Sequence, residues 1–563
     1  MRWTIKPKPD PSKVARLSKE LAVDSTTSFL LAQRGIETFE EAKNFFRPDL
    51  SDLHDPFLMK DMEKAVSRIE EAVENQENIL VYGDYDVDGT TSVALMSSYL
   101  LSFYPNVATY IPDRYEEGYG ISYKGIDFAE DNNFSLIIAL DCGIKAIDKV
   151  AYAFKKEVDF IICDHHRPGA EIPKAKAVLD PKQEDCDYPF KELCGCGVGF
   201  KLIQALASKK GATIDDLVLY LDLVATAIGA DIVPIVGENR ILAYHGLKVI
   251  NENPRPGFEA ILKQVKKEKL TITDVVFIIA PRINAAGRMK HGNHAVTLLC
   301  ETDNNLAAEY AIDIDTYNTD RRDADKRITI EALVQIEENK EQDRFTSVVF
   351  DENWHKGVIG IVASRLIETY YRPTLVFTKS GEMLAASARS VKGFDVYNAL
   401  ENTSEYIEQF GGHKYAAGLT LKPENYKSFK AQFEKVVEET IDPKMLIPEI
   451  SIDSQISLSD ITPKFYRILS QFAPFGPGNM TPVFMSEDIQ DTGYGKQVGE
   501  DKTHLRFTAT QHGSGKIVGI GFGLGEHIEL IKNKKPFKAA YTIDENEWNG
   551  NVSLQLKLKD IKP

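Results

Sequence analysis

Six cysteines in 563 residues leave little material for a disulfide framework. Cys142, Cys163, Cys186, Cys194, Cys196 and Cys300 form no C-x-x-C pair, and the one close pair, Cys194-Gly195-Cys196, is poorly spaced for zinc. Reduced thiols in a cytoplasmic setting are the expectation. No apolar run reaches ~18 residues, so no membrane span is expected. The opening MRWTIKPKPDPSK is too polar for a signal-peptide core. Positive charge is also short, with 67 Lys and Arg against 84 Asp and Glu and a net charge of −17. That balance lacks the broad basic footprint of most nucleic-acid binders and leaves open only a narrow basic channel. Finally, neither glycine nor proline occurs between Gly292 and Gly357. Within that window Asn304 to Asn339 reads as one helix, with Leu306, Tyr310 and Ile314 at four-residue spacing. About 36 residues would span roughly 54 Å, enough to bridge two domains. A break near Thr316-Tyr317-Asn318 into two helices is the alternative.

With 43% hydrophobic and 27% charged residues, the chain has the composition of a folded protein of about three or four domains. Residues 1–55 read as a helical N-terminal cap. Residues 56–300 alternate strands and helices, with strands expected at 78–84, 107–112, 135–141, 158–163 and 176–180, which argues for a parallel sheet in an α/β domain. Residues 301–344 are the connecting helix, and 345–445 form a second α/β unit. From 449 to 563 the texture becomes short strands separated by Gly and Asn turns, a small β-barrel or equally a β-sandwich.

The chemistry concentrates where apolar strands end. Ile79-Leu80-Val81-Tyr82 runs through Gly83 into Asp84-Tyr85-Asp86-Val87-Asp88-Gly89. If that segment stays extended, alternate side chains share a side and Asp84, Asp86 and Asp88 converge. Crowded carboxylates raise one another's pKa, and hard divalent cations relieve the repulsion. Leu136 to Leu140 ends at Asp141-Cys142-Gly143, and Phe160 to Cys163 ends at Asp164-His165-His166. A helix-like stretch, 213–228, runs into Gly229-Ala230-Asp231. In open α/β sheets ligands bind beyond the carboxyl ends of the strands, so one polynuclear metal site is expected from these segments.

DYDVDG, LDCG, DHHRPG and GADIVP resemble the four motifs of the DHH phosphoesterases, in the family's order. PRINAAGRM (281–289) and GGHKYAAG (411–418) resemble the longer nuclease branch, which carries a DHHA1 domain. The resemblance runs from about residue 55 to the C-terminus. One departure is ATAIGADIVP (225–234), where a shorter GTVADV-like sequence is usual, although Asp231 is present.

The resemblance implies a DHH domain, a DHHA1 domain and an oligonucleotide-binding (OB-like) barrel. It assigns Asp84, Asp86, Asp88, Asp141, His165 and Asp231 to two divalent cations, Mn²⁺ or Mg²⁺ by the oxygen-rich donor set. Asp141 is the candidate bridge, His166 the contact to the scissile phosphate and Asp164 its orienting partner, with Asp88 and Asp141 also counted in the catalytic set. Nucleic-acid phosphates fall to Arg114, Arg282, Asn284, Arg288, Ser387, Arg389, Gly411, Gly412 and His413, the last three if the GGH turn opens a helix.

The implied activity is single-strand-specific 5′-to-3′ DNA exonuclease action by a two-metal mechanism, releasing mononucleotides, in repair and recombination. A monomer acting beside a single-strand-binding protein and a helicase is implied with it. The alternatives are a phosphodiesterase of short oligonucleotides or cyclic dinucleotides, for which a barrel domain has no use, and a non-catalytic replication factor.

Overall fold

The computed structural model describes every residue except 266, 268, 513, 514, 534 and 549. Its first large domain is built on a five-stranded parallel sheet in the order Val107–Tyr110, Asn78–Gly83, Phe134–Leu140, Asp159–Cys163, Ala177–Leu179. The strands are near-continuous runs of Ile, Leu, Val and Ala buried on both faces, as parallel strands covered by helices must be. The chain leaves Asn78–Gly83 first to one side and then to the other. The switch point therefore lies between Asn78–Gly83 and Phe134–Leu140, where Asp84 and Asp141 emerge.

Asn304–Glu338 is one unbroken helix of 35 residues. Its first half buries Ala307, Ala311 and Ile314 in the core of the first domain, and its second half buries Ile328, Ala332 and Ile336 against the next domain. A helix with two separate apolar faces sets the distance between two domains. The second domain is a mixed sheet in the order Gln409–His413, Ala416–Leu421, Met383–Arg389, Thr374–Ser380, Ser347–Phe350.

The C-terminal sheet contains Phe484–Asp491, Phe537–Trp548, Asn551–Lys562, Ile517–Gly521 and His504–Thr510, paired in that order. Gln490 and Asp491 pair back onto Thr510 and Ala509, so these five strands form a ring, as in an OB fold. The ring closes over Phe484, Phe507, Phe537 and Tyr541, which also pack with Leu17, Leu30 and Leu31 of the N-terminal helices. The N-terminal segment is thus part of the C-terminal domain's core. Among the described residues no helix is long and apolar enough to cross a membrane.

Candidate metal centre and phosphate cleft

The carboxylates converge, but not by strand alternation. The strand stops at Gly83, Asp86 caps the helix Val87–Leu101 by accepting from Gly89 N at 3.0 Å, and Asp88 lies in that helix's first turn. The turn is tight because residue 89 is glycine: a Cβ there would lie 2.4 Å from Asp84 O. Helix Gly195–Lys209 then points its N-terminus at the cluster, and Asp88 accepts from Gly195 N and Cys196 N, both at 2.7 Å. Gly195 is needed for this approach, since a Cβ there would meet Asp141 Cβ at 2.5 Å.

His165 Nε2 lies 3.1 Å from Asp141 Oδ1, 3.6 Å from Asp231 Oδ2 and 3.8 Å from Asp88 Oδ2. Asp141 adopts φ 59°, held by its N–H to Cys163 O at 2.8 Å. Burial, followed by the charge of Asp86, holds the Asp84 carboxyl far above the usual range. Burial and then Asp231 do so for Asp88, and burial and then Asp88 for Asp141. Burial and Asp86 push Asp231 up to about 7. Burial, reinforced by His166, keeps His165 neutral with a pKa of about 3.

Asp84 Oδ2 and Asp141 Oδ1 are buried carboxylate oxygens that accept no hydrogen bond. Buried acceptors left without donors, among carboxylates that repel one another, are what a polynuclear site of hard cations would satisfy. Among the described residues two overlapping candidate ligand groups exist, Asp88 with His165 and Asp231, and Asp141 with His165 and His166. The residues present fit divalent cations. Asp86 is a neighbour to all four of the other carboxylates, which its charge raises.

Asp164 is buried beside the two histidines. Its Oδ1 accepts from His165 N at 2.8 Å and His166 N at 3.1 Å, and pairs with His166 Nδ1 at 2.8 Å, while Oδ2 accepts from Ile144 N at 2.9 Å. Burial alone would raise Asp164, but the His166 hydrogen bond and charge and the backbone donors bring it down to about 2. The same pair outweighs burial at His166 and lifts it to about 9. Asp164 thus favours the protonated ring of His166, with Nδ1 committed to Asp164 and Nε2 3.4 Å from the Tyr119 hydroxyl.

A second crowding, of opposite sign, lies beside the first. Arg288, on helix Ala280–Met289, has its pKa brought down to about 9 by burial and by Arg114, Arg321 and Arg389. Among the described residues Arg114, Arg288 and Arg389 form no ion pair with a carboxylate. Arg114 stacks on Tyr85 at 4.1 Å, Arg288 donates to Gly357 O at 2.8 Å, and Arg389 donates to Ser387 Oγ at 3.0 Å. The two crowdings touch through the DYDVD turn, since a Cβ on Gly287 would lie 2.6 Å from Tyr85 O.

Arg282 is less free: it pairs with Asp315 at 3.0 Å and donates to Ile278 O. Asn284 is partly exposed on the same helix.

The GGH segment does not open a helix. Gln409–His413 is an edge strand in a hairpin with Ala416–Leu421, because Gly411 and Gly412 pair with Gly418 and Ala417. The register then aligns Gly411 and Gly418 with Ser387, and His413 and Ala416 with Arg389. Opposite residues share a face, so the glycines leave an open floor beside the Ser387 and Arg389 side chains rather than a helix terminus.

Arg321, Tyr85 and Tyr119 were not among the sequence-derived candidates. Nothing local marks Arg321 within a long charged helix, whereas the two tyrosines lie inside motifs already singled out.

The comparisons with known proteins agree with one another. Residues 78–228 match the DHH family N-terminal domain, 342–439 the DHHA1 domain and 452–560 the RecJ OB domain. The chain is 36% identical over 566 residues to the single-stranded-DNA-specific exonuclease RecJ of Bacillus subtilis (strain 168), covering all of this chain and 70% of that one. It is 32% identical over 559 residues to the Escherichia coli (strain K12) protein of the same description, covering 95% of each. The crystal structure of RecJ in complex with Mn²⁺ from Thermus thermophilus superposes with a TM-score of 0.86 at 26% identity, covering all of this chain and 79% of that one. With a carboxylate–histidine cluster at the switch point and relatives that match along its whole length, the chain belongs to the RecJ family of single-stranded-DNA-specific exonucleases.

Proposed function

We propose that this protein is a divalent-cation-dependent exonuclease that hydrolyses single-stranded DNA from the 5′ end, releasing mononucleotides, in DNA repair and recombination. The observation that carries the reading is the meeting of two like-charge clusters at the DYDVD turn. One is a set of buried carboxylates and a neutral histidine, and the other a set of arginines without carboxylate partners. A phosphodiester backbone is a ligand that can answer both. Cations held by Asp84, Asp86, Asp88, Asp141, His165 and Asp231 would supply Lewis acidity and lower the pKa of water at neutral pH. Mn²⁺ or Mg²⁺ suits these donors.

The chain's own residues do the remainder. Asp164 fixes the ring of His166 and keeps it protonated, so that Nε2–H is free to donate to an oxygen of the scissile phosphate. Arg114, Arg288, Arg321 and Arg389, with Ser387, offer donors to a terminal phosphate, which supports the 5′ start. Tyr85, lying under Arg114 and within the DYDVD turn, fixes the spacing between terminal phosphate and scissile bond. His413 and the glycine floor of the hairpin leave room for the strand. A closed OB-like domain suits a role in guiding single strands. A single-strand-binding protein and a helicase are proposed partners of a monomeric enzyme.

The test is Mn²⁺-dependent digestion of strands labelled at either end, comparing the protein with Asp88→Ala. The expected result is stepwise loss from the 5′ end, resisted by duplex and abolished by the substitution. Turnover of dinucleotides with no action on long strands would move the chain to the small-substrate phosphodiesterases.

A further inference from the structure

The carboxylate cluster belongs to the first domain, yet the loop carrying Asp231 is held by the third. Just past the end of helix Leu221–Ala230, Ile232 lies at φ 61°. A β-branched residue stays in that region only where its surroundings over-determine the backbone. The constraint is visible in the contacts that follow. Ile235 N donates to Pro477 O at 2.7 Å, and Asn239 Nδ2 donates to Pro234 O at 3.1 Å. A Cβ on Gly476 would come within 2.5 Å of Ile235 Cγ1, and one on Gly478 within 3.0 Å of Val236 Cγ1. Residues 476–478 therefore pack directly onto residues 234–236.

That turn is locked in its own right. The buried Asn479 amide donates to Phe472 O at 2.7 Å and Pro474 O at 3.0 Å, and its carbonyl accepts from Arg34 Nε at 2.8 Å. Arg240, on helix Gly237–Glu252, donates to Phe472 O at 2.9 Å, Ala473 O at 3.0 Å and Pro474 O at 3.3 Å, and to Phe45 O at 2.8 and 3.0 Å. Among the described residues no carboxylate pairs with this guanidinium. Its hydrogen bonds run to carbonyls of the N-terminal segment and of the stretch 472–474 that leads into the turn, so it is spent on joining them to the helix that follows the Asp231 loop.

We propose that the 473–479 turn, held by Arg240 and Asn479, is a positioning device for Asp231, so that cation affinity at the catalytic centre depends on the docking of the C-terminal domain. This rests on Asp231 being a cation ligand, as assigned under the proposed function. The turn touches neither cation nor substrate; it acts through Ile235 and the strained Ile232 on the orientation of the Asp231 carboxylate. Partners that orient a ligand from behind typically contribute about 10–100-fold to metal affinity.

The experiment is Mn²⁺ titration of the full-length protein, read by loss of the free-ion EPR signal, for wild type, Asp231→Ala, Gly476→Ala, Asn479→Ala and the double variant Gly476→Ala/Ile235→Ala. Melting temperature and single-strand binding without metal are measured alongside. Gly476→Ala is expected to weaken Mn²⁺ binding about tenfold with strand binding retained. The double variant, which removes the atom it would strike, recovers most of the affinity. Asn479→Ala adds no atom and should shift affinity in the same direction, so it decides the matter if Gly476→Ala does not fold. Wild-type Mn²⁺ affinity in both single variants, with Asp231→Ala impaired, would overturn the clamp while leaving the metal centre intact. Joint loss of Mn²⁺ and strand binding would mark general loosening and overturn it as well. An Asp231→Ala protein that binds Mn²⁺ like wild type would remove the ligand assignment and the proposal with it.

Discussion

The carboxylate cluster and the arginine cluster are built in opposite ways. Asp84 and Asp141 follow strand ends of one sheet, where parallel topology delivers successive loops to the same edge, and Asp86, Asp88 and Asp231 lie at helix ends beside them. The arginines come from a loop at 114, a helix at 288, the connecting helix at 321 and a strand at 389, and Arg389 joins the others because the long helix holds two domains together. Each is a concentration of like charge that the fold leaves uncompensated. The first is mostly buried and suits small cations. The second is partly open and suits an anion too large to be enclosed. The difference teaches that the candidate cation ligands all come from one domain, whereas the arginines come from two domains and the helix that joins them.

The largest expected effect breaks the first cluster. Asp141→Asn should lower kcat on a single strand by more than about 100-fold, because the carboxylate nearest His165 Nε2 loses its charge. Strand affinity measured without metal should be nearly unchanged, and a parallel loss of strand affinity would argue that the carboxylates hold the fold rather than cations.

The second cluster can be tested by its ligand. Removing one charge-assisted hydrogen bond costs ~1.5–3 kcal/mol, or roughly 10–150-fold. Arg389→Ala should lower kcat/KM on a 5′-phosphorylated strand by about that factor, and on a 5′-hydroxyl strand by much less. Equal losses on both substrates would place the arginine on the strand at large rather than on its end.

The smallest effect is on stability, and it sharpens the comparison by sign. Relieving like-charge repulsion should stabilise either cluster in the absence of its ligand. Asp141→Asn without metal, and Arg288→Met without nucleic acid, should each raise the melting temperature by a few degrees, about 1 kcal/mol. Mn²⁺ should stabilise wild type and not Asp141→Asn. A lower melting temperature in Arg288→Met would show that its bond to Gly357 O outweighs the repulsion from its neighbours.

How much of this is legible in the sequence depends on whether the decisive contacts are local. Asp141, Asp164 and His165 can be read because each follows an apolar run long enough to be a buried parallel strand. The long helix is legible because nothing interrupts it. The GGH segment misleads because two glycines before a histidine suit either a helix-opening turn or a hairpin edge, and only pairing with Ala416–Leu421 decides between them. Strand alternation is likewise the wrong basis for the convergence of Asp84, Asp86 and Asp88, since helix Val87–Leu101 begins inside the motif rather than beyond it.

What the sequence determined alone is the inventory: apolar strands that must be buried on both faces, the acidic and imidazole groups placed at their ends, and one uninterrupted helix after them. Those follow from the chain's own period and punctuation. The tertiary structure decided which like charges are left facing one another. It also decided that Arg321 joins Arg288, that the N-terminal helices complete the C-terminal core, and that Pro477 holds the loop after Asp231. Those contacts join residues tens to hundreds of positions apart, and only the closing of domains onto one another makes them neighbours.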